Sequence, residues 1–188
     1  MNASVADIVN TALDYLGQAP ITSMDERSPN AARARRMWAG ARDGVLRAHI
    51  WKCAQKRVRL ARLAARPVFG FDYQYQLPPD FLRLAATEPD DARFSVEGDR
   101  IMTDAPELSI AYVARVEDAN LFDAALRDCL ALKLAAMMAY GATASTSLTQ
   151  ALEAQYRDRL KEAKGADARE GEARAVKGPG RWAAARLG

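Results

Sequence analysis

Apolar positions recur at helical spacing toward both ends of the chain and alternate through its middle, which divides the sequence into three stretches. Near the start, Ser4 and Asp7 form an S-x-x-D capping box, followed by Val5, Ile8, Val9, Ala12, Leu13 and Leu16 at helical spacing. This pattern predicts a helix over about 5–16, with Gly17 as its stop. Ser28-Pro29 reads as N-cap and first position of a second helix, over about 30–51. Its apolar stripe runs through Ala34, Met37 or Trp38, Ala41, Val45 and Ala48, leaving Arg33, Arg36, Arg42 and Arg47 on other faces. A third helix is expected over about 121–140, closed by Gly141, and a fourth over about 147–164, opened by a Ser147/Gln150 box.

Between these lies the period of a half-buried strand. Lys56 to Leu60 alternates, as does Phe71 to Leu77, and Pro78-Pro79-Asp80 makes a turn. Segments Arg93–Val96 and Arg100–Thr103 flank Glu97-Gly98-Asp99 as a hairpin with glycine at its tip, and Ser109–Val113 adds a strand. The expected fold is therefore α+β: mainly a bundle of four helices, with one small antiparallel sheet inserted in the region of about 52–113. Residues 1–164 form the body. The remainder, 165–188, is rich in Gly, Ala and charge with a single aromatic, Trp182, and reads as a flexible C-terminal arm.

Composition fits one domain with an appendage. Apolar residues make up 49% of 188, much of it alanine, enough to build a helical core. The longest apolar run, near Leu134 to Tyr140, is too short for a membrane span, and the start lacks the basic-then-apolar order of a signal peptide. Cys53 and Cys129 stand alone, without metal or redox spacing, and read as reduced thiols in preference to a disulfide.

Charge changes this picture more than composition does. From Asn30 to Arg66 eleven Lys or Arg face one acid, Asp43, a net of +10; from Pro67 to Leu126 four Arg face twelve acids, a net of −8. The chain as a whole carries only +3. Such segregation is compatible with three uses: pairing of the blocks within or between subunits, a plain solvated helix face, or contact with a polyanion such as nucleic acid.

Signatures of catalysis are sparse. His49 is the single histidine, beside Trp51 at a helix end, a position that suits capping or packing better than base catalysis. A zinc set is not available, and Gly178-Pro179-Gly180 lacks phosphate-loop spacing. Asp90-Asp91 and Asp118 with Asp123 offer carboxylate pairs of the kind glycoside hydrolysis needs, but acids in turns ordinarily serve as caps. The Phe69-Phe71-Tyr73-Tyr75 run looks like core and hairpin surface. We expect no enzyme, no cofactor and no metal.

Specific strings carry the reading further. Ala12-Leu13 with Leu16-Gly17, Ile21-Thr22-Ser23, and Ala41-Arg42-Asp43 through Val45-Leu46-Arg47-Ala48-His49 to Trp51 occur in order. They are followed by Phe69-Gly70-Phe71, Tyr73 through Asp80, Val96 through Ile101, and Tyr112 through Asp118. Together, over about 5–164, they resemble the tail tubular protein A family, the head-to-tail connector (adaptor) proteins of short-tailed bacteriophages and related prophages. The segment FGFDYQYQLPPD is the sharpest; the family often has Pro where this chain has Ile50.

The resemblance implies a virion protein made in the host cytoplasm and located at the head–tail junction. It implies a homo-oligomeric ring, of twelve copies, docked beneath the portal protein. Viral DNA passes through the lumen without sequence-specific binding, a tail nozzle protein is received below, and neither a membrane nor an enzymatic step is involved. Arg33, Arg36, Arg42 and Arg47 are then candidates for the subunit interface, meeting a neighbour's acidic segment. The arm's Arg181, Trp182, Arg186 and Leu187 are candidates for portal binding. Rival readings from other classes are a tail-associated peptidoglycan hydrolase and a basic DNA-binding module.

Overall fold

The computed structural model describes residues 4–170. Its elements run α1 (Val5–Asp14), α2 (Pro29–Arg47), β1 (Gln55–Arg59), β2 (Tyr73–Gln76), β3 (Phe81–Glu88), β4 (Phe94–Glu97), β5 (Arg100–Thr103), β6 (Ser109–Ala114), α3 (Ala124–Thr143) and α4 (Thr146–Glu170).

Local chemistry sets the helix ends. The Ser4 hydroxyl accepts from the Asp7 amide while the Asp7 carboxylate accepts from the Ser4 amide, which closes the capping box of α1. Its exit is a Schellman turn: the Gln18 amide donates to Leu13, the Gly17 amide donates to Asp14, and Gly17 takes a φ of 61°. Ser28 caps α2 through the Ala31 amide, with Pro29 in the first turn. This helix stops at Arg47, short of the expected 51, and needs no proline to do so. Trp51 turns inward instead, fully buried, and donates from Nε1 to the Val45 carbonyl at 2.9 Å. Gly141 does not close α3. The helix runs through it to Thr143 and ends on Ala144, which adopts a left-handed φ of 54°. The cap of α4 is Ser145, whose Oγ accepts from the Leu148 amide, two residues before the expected Ser147. At its other end α4 continues past 164 to Glu170.

Helix α3 passes between α1, α2 and α4 and is buried on nearly every side, from Leu126 through Ala139. It is the centre of the larger core, to which α1 gives Ile8, Val9 and Leu13 and α2 gives Trp38, Val45 and Leu46. Its alanines let the neighbouring helices approach closely.

The expectation of one small inserted sheet is corrected. Two three-stranded antiparallel sheets are present, ordered β1-β6-β3 and β2-β5-β4, and they form a packed unit of their own. A second core lies between them: Ile110, Tyr112 and Ala114 from the first sheet meet Tyr75 and Ile101 from the second, with Leu60, Leu77 and Leu108 alongside. Strand β6 is central to the first sheet and turns Val113 the other way, into the helical core. That strand joins the two halves. β3 is the element that pattern reading lacks, because irregularities after Phe81 and Leu84 break its alternation. Pairing of β1 with β6, Gln55 opposite Val113, is long-range and leaves no periodic trace in the sequence.

Candidate assembly surfaces

The four arginines singled out on α2 do not act as a set. Arg42 is buried, 7% exposed, and committed within the chain: its Nε lies 2.9 Å from Asp43 and its Nη1 3.4 Å from Glu117. Asp43 also accepts from Arg115 at 3.0 Å, so two cations and two acids alternate where α2 meets the segment after β6. Arg33 donates to the Gly141 carbonyl, tying α2 to the end of α3. Arg47 donates to the Leu82 carbonyl of β3. Arg36 alone of the four is exposed with no hydrogen bond or ion pair among the described residues. Part of the charge segregation is thus spent inside the chain, where Arg42–Glu117, Lys56–Asp80 and Arg59–Glu107 join the basic block to the acidic one. The portal-binding candidates Arg181, Trp182, Arg186 and Leu187 lie outside the described residues.

Residues weighed for chemistry take structural positions. The Nε2 of His49 is 3.0 Å from the Asp167 carboxylate, and its ring meets Trp51 edge-on at 5.0 Å. Asp167, 6% exposed, accepts from the Lys52 amide at 3.1 Å, and Lys52 Nζ donates to its carbonyl at 2.8 Å. The group therefore fastens the last turns of α4 to the corner after α2. Asp118 accepts from the Asn120 amide and Asp123 caps α3 through the Leu126 amide, both cap roles. Asp90 and Asp91 are exposed in a turn. Burial pushes the Cys53 and Cys129 thiols up to about 11, away from the reactive thiolate range, and both are free. Among the described residues no group of three metal-ligating side chains is assembled, and no helix is long and apolar enough to cross a membrane.

What the surface does offer is apolar side chains in solvent. Val68 and Phe69, at the tip of the β1–β2 loop, are 97% and 85% exposed. Leu121 and Tyr140 stand out near the two ends of α3. Of the aromatic run, Tyr75 is core, Phe71 is half-buried and Phe69 is exposed. Counting aromatics does not separate these cases; the bracket of Pro67 and Gly70 around Val68-Phe69 does, because it marks a turn and not a continued strand.

No protein-family model matches the chain, and a search of curated proteins finds no relative.

Proposed function

We propose that the chain is a structural subunit of a phage head-to-tail connector, a ring between portal and tail nozzle through which DNA passes, without an enzymatic step. Two adjacent apolar side chains held almost wholly in solvent, Val68 and Phe69, are the observation that carries a role in assembly. The ordered strings that resemble the tail tubular protein A family supply the particular assembly. In this reading the protein acts in the virion at the head–tail junction and binds the portal, the nozzle and further copies of itself. Arg36 is the member of the α2 set available to a neighbour's acids.

The arm would then bind the portal through Trp182, with Arg181 and Arg186 pairing to acids and Leu187 beside them. Because Asp167 is buried and bonded, the informative truncation begins at Gly171 and not at Gly165. A chain ending at Glu170 is expected to keep its fold and lose portal binding, and Trp182→Ala to weaken binding by about tenfold or more. A truncated chain that binds the portal with full affinity places the docking surface on the body instead.

A further inference from the structure

The β1–β2 loop is built to hold its tip still. Its first leg is tied by the Leu63 amide, which donates to the Gln74 carbonyl at 2.9 Å, and by a bridge between Arg62 and Tyr75. The Gln74 side chain, 4% exposed, donates from Nε2 to the Ala65 carbonyl at 2.8 Å. Its second leg is tied by Arg93, which donates to the Gly70 carbonyl and lies 4.3 Å over the Phe71 ring. The Asp104 carboxylate receives both Arg93 and the Asp72 amide. Gly70 takes a φ of 87°, a turn that a side chain would strain. Every tie stops short of Val68 and Phe69. A rigid support under two solvated apolar side chains is the arrangement of a preorganised anchor.

At the far end of β2 lies a groove of about 490 Å³, lined by Gln76, Leu77, Pro78, Pro79, Phe81 and Asp99. Leu77, Pro78, Pro79 and Phe81 supply its apolar lining and Gln76, Gly98 and Asp99 an equal polar share, with Glu97 next to them along the same acidic hairpin. The loop, for its part, carries Arg62 and Arg66, neither within ion-pair distance of a carboxylate among the described residues. Anchor and groove carry opposite charges, and each presents apolar surface. They also sit at opposite ends of one strand, so the loop of one molecule cannot fill its own groove.

We infer that the loop tip of one copy seats Phe69 in the Pro78–Pro79–Phe81 groove of the next, with Arg62 and Arg66 meeting Glu97 and Asp99. Such a contact joins two different patches and is heterologous, so it repeats head to tail. The pairwise contact stands on this geometry; only its closure into a ring rests on the connector reading.

Sedimentation velocity of the full chain tests it with two variants, one for each half of the contact. Phe69→Asp spoils the anchor and Asp99→Arg spoils the groove. Both residues are exposed, so an unchanged thermal melt certifies the fold of each. Each variant alone is expected to associate about thirtyfold or more weakly than wild type, the effect of losing a central anchor. Mixed in equal amounts, they should form a dimer and nothing larger, because the first keeps a groove and the second keeps an anchor. Wild-type association by Phe69→Asp overturns the contact while leaving a ring through another surface intact. A mixture that stays monomeric where wild type assembles also overturns it. So does retained assembly of Phe69→Asp with lost binding to phosphatidylserine-containing vesicles, which would assign the tip to a lipid surface.

Discussion

Tyr112 and Asp80 form the junction between strand β6 and the turn ahead of β3. The phenol donates to Asp80 Oδ1 at 3.0 Å, while Lys56 Nζ reaches Oδ2 at 2.7 Å. Burial, and then the bond to Asp80, raises the Tyr112 phenol from 10.0 to about 12. Burial alone would raise Asp80, but the bonds from Lys56 and Tyr112 outweigh it and leave the carboxyl below 3.8. The signs follow from linkage. A phenol raised in the folded state stabilises it fully below pH 10, and this is lost as pH climbs through about 12. A carboxyl lowered in the folded state stabilises it above 3.8, and this is lost as pH falls further. Denaturant melts across pH 9–12 are therefore expected to show a falling midpoint, and Tyr112→Phe to flatten part of that fall. Tyr156, also raised to about 12 by burial, accounts for a further share. An identical alkaline slope in the variant would show that Tyr112 titrates as it does in the unfolded chain.

Elements here are held at their ends as much as along their faces. Asp167 fastens the last turns of α4 to Lys52 and His49, so the helix is anchored well past residue 164. Removing a buried acceptor leaves its donors unsatisfied, a cost of about 1–3 kcal/mol. Asp167→Ala is expected to lower stability by that amount in urea denaturation. A chain ending at Lys164 should lose at least as much, whereas one ending at Glu170 should match the full chain. Equal stability of all three would mean that the end of α4 is not docked. The anchor also shows where sequence reading stops. The α1 box, the Pro29 start, the Gly98 hairpin and strands β1, β2, β4, β5 and β6 were legible because short-range chemistry writes them. The last turns of α4 were not, since GADARE has weak periodicity and its one decisive residue, Asp167, is fixed by groups 115 residues away. β3 was missed for a related reason: bulges broke its period, and its partner strand is distant.

At the scale of the molecule, opposed charge blocks proved to be two things at once. One part is internal: Arg42, Asp43, Arg115 and Glu117 bind the helical half to the sheets. The other part, typified by Arg36, remains on the surface. No pattern along the sequence separates the two, because α2 carries cations on several faces and only the fold shows which of them meets Asp43 and Glu117. They are separable by mutation. Arg42→Glu puts a third carboxylate beside Asp43 and Glu117 and should cost about 3–5 kcal/mol of stability, the scale for breaking a buried pair. Arg36→Glu should leave stability within about 0.5 kcal/mol and act on assembly instead. Unfolding of both variants alike would place Arg36 in the internal network after all.

The proposed role is a ring of copies of this chain beneath a portal. Its most direct test is electron microscopy of the full chain mixed with the portal protein from the same phage or prophage. A symmetric ring of twelve copies stacked on the portal, with an open lumen wide enough for duplex DNA, is the expected result. A chain that remains a free monomer beside intact portal rings, at concentrations far above those of virion assembly, would contradict it.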